Sequence, residues 1–414
     1  MSANSMVQDH SHNFRAVSHP LRIHSGERAL EQLPAELDRL KLRRAFVLCG
    51  RSLHDSTTLI ASIRAQLGSR FAAMCVNMGA DVDSERVEQA AAMARECNAD
   101  CLIAVGAGST TKACRVVAIR MAEEGPLAQL ATRYDANGVG HSVRLLAVKV
   151  PIFNVLTAAT TSQNRSGASI RDSASERQLE FFDPKTRATA VFWDAQALLT
   201  APLSLTRSAA GMEFWWALMN LAGAGNENPL VQACRRQCWF IANAAFPRMN
   251  DAQDWRVRAE LCAASLLRTR DEDDGGAPLG VLPGTHELRM HPITRATYML
   301  AQALFNAGTG VTQSQATMAL AGAAIRAFGQ WCPDAVSDMA DLLGAPSHRP
   351  GQVAMHLDDR LRNAGFTVDL RARGLSRKQC GKVMERALHT FNCNADGWMN
   401  DKTDSLQDML NSVT

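Results

Sequence analysis

The chain has 414 residues, of which 46% are hydrophobic and 21% charged, with a formal net charge of +3. This balance is typical of a globular protein of about two domains, and without a dense Lys/Arg block it argues against nucleic-acid binding. There is no run of about 20 apolar residues to span a membrane. Eleven scattered cysteines without a CxxC pair indicate reduced thiols and a cytoplasmic protein. We expect residues 1–13 to be a disordered tail.

The first half of the chain alternates short apolar strands with amphipathic helices. "RAFVLCG" (44–50), "FAAMCVNMG" (71–79) and "CLIAVGAGS" (101–109) are predicted strands, each followed by a helical pattern. "VRLLAVKVPIF" (143–153) is predicted to return to the sheet, and "RATAVFWDAQALL" (187–199) supplies another strand and a turn. Such alternation is typical of a parallel sheet with helical crossovers.

From about Leu203 the strand signals end, and long Ala/Leu/Met-rich helical windows follow. The predicted fold is therefore an α/β N-terminal Rossmann-like domain at 14–202, which would bind a dinucleotide, and an all-α C-terminal domain at 203–414. The short alternating segment 14–26 is a candidate edge strand.

One glycine-rich loop follows the third predicted strand and precedes a helix. In Gly106, Ala107, Gly108 and Ser109 the two glycines permit close backbone approach, and the N–H groups at the helix start can face a phosphate. A lone GxG is a weak signal. The loop alone therefore leaves open a phosphate site or a tight strand-to-helix turn.

Several motifs in order are more specific than that loop. They are "GAGSTTKACRVVAIR" (106–120), "LTAATTSQ" (156–163), "FDPKTRATAVFWDAQALLTAP" (182–202), "AAGMEFWWALMN" (209–220) and "HPITRATYMLAQALFN" (291–306). Together they resemble the iron-containing alcohol dehydrogenase superfamily, whose fold is shared with dehydroquinate synthase, and within it the maleylacetate reductase branch.

The resemblance implies that the N-terminal domain binds NAD(P) and that the active-site cleft lies between the two domains. The implied cofactor-binding residues are Gly50, Arg51, Ser52, Gly106, Ala107, Gly108, Ser109, Lys112, Thr157, Thr160 and Thr161. Where NAD-preferring relatives carry an Asp after the first strand, this chain has Arg51 and Ser52 and no carboxylate. NADP is therefore preferred over NAD, with the alternative that Arg51 is a solvated helix-start residue. Lys112, with Arg115 beside it, adds positive charge that favours an anion.

The metal-binding pattern of the family is degraded in this chain. Its first ligand pair falls at Glu213 and Ala217, its last His is His291, and the third position, near Ala277, has no His. His286 is a possible substitute in sequence but not in register. We therefore predict no catalytic iron or zinc.

The remaining site predictions also follow from the family register. His291 is the candidate proton donor, because an imidazole titrates near neutral pH, with a helix-start histidine as the alternative. The predicted substrate-binding residues are Arg165, Glu213, Trp216 and Arg295. For Arg295 an ion pair is the alternative role.

Two functions from different classes remain. The first is a metal-independent NAD(P)H-dependent reductase, similar to maleylacetate reductase, that acts on a small carboxylate-bearing carbonyl or enoyl substrate and forms a homodimer. The second is a divergent member without redox activity that binds an anionic ligand, serves as a partner subunit or catalyses a non-redox reaction. A sugar-phosphate cyclase similar to dehydroquinate synthase is a minor third interpretation, because it needs a metal set that the chain lacks.

Overall fold

The computed structural model describes residues 13–79, 82–134, 140–175, 178–223, 227–275, 290–307, 310–371, 374–394 and 396–414. All but the last residue of the predicted tail, 1–13, lies outside these ranges. The chain forms two compact units. The α/β unit comprises His19–Thr206 and Asp251–Thr269, and the helical unit comprises Met1–Ser18, Arg207–Asn250 and Arg270–Thr414.

The α/β unit is built on a six-stranded, all-parallel sheet. Its strand order is β1-β10-β7-β4-β2-β3. The strands are β1 (Arg22–Gly26), β2 (Ala45–Cys49), β3 (Phe71–Cys75), β4 (Cys101–Gly106), β7 (Ile152–Leu156) and β10 (Ala190–Asp194). The predicted edge segment, 14–26, is confirmed only over Arg22–Gly26, since β1 stands at one end of the sheet and pairs with β10.

Alternating side chains of the inner strands enter two separate cores. Phe46 and Leu48 of β2 pack in the core covered by two helices, α4 (Ser84–Glu96) and α5 (Gly108–Ala122). Val47 and Cys49 point the other way, into the core covered by α1 (Leu33–Arg39) and α3 (Leu59–Leu67). This two-sided burial follows from the period of two along a strand, and it explains the continuous apolar runs in the sequence.

In the described ranges, seven short and medium helices lie between these strands or directly after the last of them. They are α1 (Leu33–Arg39), α2 (Arg51–Ser56), α3 (Leu59–Leu67), α4 (Ser84–Glu96), α5 (Gly108–Ala122), α6 (Leu127–Leu130) and α7 (Ala195–Leu199). With helices on both faces of a parallel sheet, the unit is Rossmann-like, as predicted.

Two small antiparallel strand pairs were not predicted from the sequence. They are β5 (Arg133–Tyr134) with β6 (Gly140–His141), and β8 (Gly167–Arg171) with β9 (Gln178–Phe182). The segment 143–153 was predicted to return to the sheet, but β7 begins only at Ile152. Its middle instead buries Lys149, whose Nζ lies 2.6 Å from a carboxylate oxygen of Glu123.

Helices alone form the described part of the helical unit. Helices α8 (Leu203–Leu221) and α10 (Trp255–Asp273) straddle the unit boundaries. The others are α9 (Pro229–Ala245), α11 (Pro292–Asn306), α12 (Gln313–Phe328), α13 (Pro333–Leu343), α14 (Pro350–Asn363), α15 (Arg377–Leu388), α16 (Phe391–Asn394) and α17 (Thr403–Val413). Helix α12 is buried over most of its length and packs against α11, α14 and α17. Within the described ranges, no helix combines the length and apolar character that crossing a membrane requires.

The predicted domain bounds, 14–202 and 203–414, need two corrections. Residues 14–18 belong to the helical unit, and residues 251–269 belong to the α/β unit. Arg258 of α10 donates to the carbonyl oxygens of Leu198 and Ala201 at 2.5 and 2.9 Å, and Cys262 packs beside Trp193 of β10. A helical pattern indicates which face of a helix is buried but not which unit buries it.

Candidate functional site

The glycine-rich loop at the carboxyl end of β4 has a shape that only glycine permits. Gly106 has a φ of 157°, and a Cβ there would lie 2.5 Å from Thr110 Oγ1. That hydroxyl is fixed, because it donates to the carbonyl oxygen of Met78 at 2.7 Å. A Cβ on Gly108 would lie 2.9 Å from Thr160 Oγ1.

Helix α5 starts directly after this loop. Its N-cap residue is Ala107, whose side chain makes no capping hydrogen bond. The first N–H groups of a helix lack intrahelical acceptors and carry a partial positive charge, which suits a phosphate oxygen.

A second segment faces the start of α5. Beyond β7, Thr157 donates its backbone N–H to the carbonyl oxygen of Gly106 at 3.1 Å. Residues Thr161–Asn164 form a 3₁₀ turn that is capped by the hydroxyl of Thr160. The structure therefore brings together the predicted residues of both loops.

Two basic side chains add positive charge near the amino end of α5. Lys112 is half-buried and Arg115 is fully buried on the same helix. Burial, and then the neighbouring charge of Arg115, lowers the pKa of Lys112. The pKa of Arg115 falls to about 10, mainly because of burial, with further lowering by Arg165 and Arg187. In the described part of the chain, neither Lys112 nor Arg115 pairs with a carboxylate.

The predicted ribose end lies at the carboxyl end of β2. Gly50 precedes the short helix α2, and a Cβ there would lie 3.2 Å from the Cα of Gly79, so the two backbones pass closely. Arg51 is exposed, and its Nη2 donates to Asn77 Oδ1 at 3.0 Å. Ser52 follows within α2. Parallel strands place these residues and the Gly106 loop at one edge of the sheet.

In the helical unit, the predicted substrate residues of α8 are both buried. Glu213 is 3% exposed. The ring of Trp216, one turn later, meets Tyr298 of α11 edge-on with centroids 5.9 Å apart. Ala217, at the family's second metal-ligand position, is also buried and has no ligand atom.

His291 is the N-cap residue of α11. Its Nε2 lies 3.1 Å from Thr294 Oγ1, and its buried Nδ1 has no hydrogen-bond partner among the described residues. Burial lowers the pKa of His291 to about 4, and a polar contact with the backbone of Met219 only partly offsets this. The argument for His291 as proton donor therefore needs correction, because the imidazole is neutral at pH 7 and does not titrate near it.

The low pKa of His291 predicts a pH-dependent stability. Between about pH 6.5 and pH 4 the unfolded chain binds a proton that the folded protein does not, so His291 makes the free energy of unfolding fall as the pH falls. We expect His291→Gln to lose less stability than the wild type between pH 7.5 and pH 5 in urea unfolding. Equal losses would contradict the burial of a neutral imidazole.

Arg295 makes the ion pair that the sequence offered as its alternative role. Its Nε donates to the carbonyl oxygen of Cys393 at 2.8 Å, and its Nη2 donates to Asp396 Oδ1 at 2.5 Å. The guanidinium also lies over the ring of Trp398, 5.4 Å from the centroid. These contacts hold the α16 region to α11, and they favour the ion pair over a contact with substrate. Arg165 is half-buried beside Arg115 in the α/β unit.

A complete set of metal ligands is not seen among the described residues. In the described ranges, no group of three or more His, Cys, Asp and Glu residues is placed to hold a metal ion. Ala277 and His286 lie outside those ranges.

Two polar residues of the site were missed in the sequence. Ser162 is the acceptor of Arg115 and Thr111. Gln163 donates from Nε2 to the carbonyl oxygen of Cys262 at 2.9 Å and accepts from Trp193 Nε1 at 3.0 Å. The polar run 160–164, which begins four residues after the end of a buried strand, was the available signal.

Known proteins share both sequence and fold with this chain. A 100-residue stretch is 36% identical to maleylacetate reductase 2 of Cupriavidus pinatubonensis, covering 24% of this chain and 27% of that protein. The NAD-dependent methanol dehydrogenase of Bacillus methanolicus is 23% identical over 257 residues, 61% of this chain and 65% of that protein. The chain thus matches about a quarter of the first relative's length and less than two thirds of the second's.

The fold likeness extends over nearly the whole chain. The sulfoacetaldehyde reductase of Bifidobacterium kashiwanohense, solved in complex with NAD+, superposes with a TM-score of 0.75 at 13% identity, over 96% of this chain and 98% of that one. Residues 20–195 match the family model described as iron-containing alcohol dehydrogenase. In this region, which includes the Gly106 loop, the chain is therefore similar to the iron-containing alcohol dehydrogenases, as its motifs indicated.

Proposed function

We propose that the protein is an NAD(P)H-dependent reductase that works without a catalytic metal on a small, carboxylate-bearing carbonyl or enoyl substrate. The observation that carries the proposal is the amino end of α5. Its N–H groups have no side-chain cap, and Lys112 and Arg115 lie beside it without a carboxylate partner among the described residues. A dinucleotide pyrophosphate would supply the missing negative charge.

Each end of the proposed cofactor site has its own support. Thr160 and Thr161 lie beside the α5 start, where the second phosphate and the nicotinamide side would be held. Arg51 and Ser52 would meet the adenosine ribose. With no carboxylate in this position, NADP suits the site better than NAD. A bound reduced nicotinamide would supply the hydride.

In this proposal a neutral His291 orients the substrate oxygen by a hydrogen bond, and the proton that completes the reduction comes from water. The buried Nδ1 of His291 and its contact with Thr294 allow the ring to exchange hydrogen bonds with a substrate oxygen without carrying charge. Glu213 and Trp216, both buried on α8, would contact the substrate, and Arg165 would hold its carboxylate.

Metal independence rests on the residues at the family's ligand positions. Ala217 has no ligand atom, and the described residues contain no metal-binding cluster. A cytoplasmic homodimer is part of the same proposal. The edge strand β1, on which Ile23 is 40% exposed, is the candidate contact between subunits.

The test is a calorimetric titration with NADPH and NADH separately, with metal content measured on the same sample. We expect micromolar binding, tighter for NADPH, and no stoichiometric metal. Absence of binding up to millimolar concentration would reject the reductase and favour the divergent, non-redox function. A stoichiometric metal would contradict metal independence.

A further inference from the structure

Arg115 links two segments that are far apart in the sequence. It is 2% exposed in the second turn of α5. Its Nη1 donates to the carbonyl oxygen of Ser162 at 2.5 Å, and its Nη2 donates to the Ser162 hydroxyl at 2.7 Å. Because a guanidinium is planar, two such bonds fix the orientation of Ser162 as well as its position.

Ser162 is in turn hydrogen-bonded to residues of both loops of the proposed site, the one before α5 and the one after β7. The hydroxyl of Thr111 donates to Ser162 Oγ at 2.9 Å, and the backbone N–H of Ser162 donates to Thr160 Oγ1 at 3.1 Å. Thr160 Oγ1 in turn occupies the space that a side chain on Gly108 would fill. These contacts connect Arg115 to both loops through one residue.

Packing alone does not explain a charged residue at this position. Burying a guanidinium is costly, and an apolar side chain of similar volume would fill the space without that cost. In the ranges that the structure describes, the hydrogen bonds of Arg115 all go to Ser162. Those two bonds are therefore the property that an apolar residue would lose.

We propose that Arg115 is a positioning residue that holds Thr160 and Thr161 against the amino end of α5 before any ligand binds. The inference rests on the proposed function, because the preformed site is the one for the dinucleotide phosphates. A site ordered in advance loses less conformational entropy on binding, so the arrangement increases affinity.

The experiment compares Arg115→Met, Arg115→Lys and Ser162→Ala with the wild type. Arg120→Met is the matched control, because Arg120 is on the same helix but pairs with Glu88 at 2.7 Å. Two quantities are measured: the Kd for NADPH and NADH by calorimetry, and amide deuterium exchange across residues 157–165 without nucleotide.

We expect Arg115→Met to raise the Kd about tenfold or more, as loss of charged hydrogen bonds predicts, and to accelerate exchange across 157–165. Arg115→Lys should give an intermediate result, because an ammonium cannot reproduce the two-pronged contact. Arg120→Met should change neither quantity.

Exchange in Arg115→Met no faster than in Arg120→Met would overturn the positioning role. If Arg115→Met does not fold, Arg115→Lys decides, since an ammonium cannot make both contacts with Ser162, and exchange there no faster than in Arg120→Met overturns the inference equally. If the wild type binds neither nucleotide, the proposed function fails, and with it the ligand of this site. The two failures are therefore distinguishable.

Discussion

Replacing Lys112 by glutamate is expected to weaken binding of NADPH and NADH roughly 1000-fold, since two unit charges about 4 Å apart near a protein surface interact by about 4 kcal/mol and each 1.4 kcal/mol is a factor of ten. Lys112 is half-buried, close to the amino end of α5, and no described carboxylate pairs with it. The substitution Lys112→Glu would introduce a carboxylate where the phosphates are proposed to bind. Calorimetry at low and high salt measures the effect, which salt should reduce.

Lys41→Glu is the charge-matched control for this variant. Lys41 precedes the amino end of β2, whereas α5 follows the carboxyl end of β4. Because β2 and β4 are parallel, the two positions lie at opposite edges of the sheet. We expect Lys41→Glu to bind like the wild type. Equal affinity in both variants would show that Lys112 does not contact the ligand.

Replacing Gly322 by alanine is expected to lower the free energy of unfolding by about 3 kcal/mol. Gly322 lies in the buried helix α12, and a Cβ there would lie 2.1 Å from Asp358 Oδ1 on α14. Asp358 cannot easily move, since it is 5% exposed and pairs with Arg326 at 2.8 Å. Urea unfolding followed by circular dichroism measures the change.

Gly381→Ala provides the control, because Gly381 lies within helix α15 and a Cβ there would have no atom within 4 Å. Alanine in that position should leave stability unchanged or raise it by about 0.5–1 kcal/mol. A Gly322→Ala protein that unfolds at the wild-type urea concentration would refute the tight contact between α12 and α14.

The inner strands were predictable because burial on both faces leaves continuous apolar runs, as in "AFVLC" of β2 and "CLIAVG" of β4. The β8–β9 hairpin was not. Its strands "GASIR" and "QLEFF" expose one face and carry polar residues. They therefore lack the continuous apolar run that identifies a buried strand. The assignment of 251–269 failed for a related reason, since a helical period does not identify the partner surface.

The residues of the candidate site likewise include some that could be predicted from the sequence and some that could not. Gly106 and Gly108 could be selected from the sequence because glycines between a strand and a helix have a local conformational cause. The partners of Arg115 and Arg295 could not, since Ser162 and Asp396 are 47 and 101 residues away. The pKa of His291 likewise depends on burial, which local sequence does not report.

The sequence by itself determined the class of this protein: a parallel α/β unit, a helical unit, a glycine-rich loop between β4 and α5, and the family that these motifs indicate. Those features depend on local conformational preference and on the period of hydrophobic residues, and both can be recognised from residues close together in the sequence. Only the tertiary structure decided that Arg115 is held by Ser162, that Arg295 is paired with Asp396 and that His291 is neutral. Hydrogen bonding and desolvation depend on groups that the folded chain brings together from distant positions.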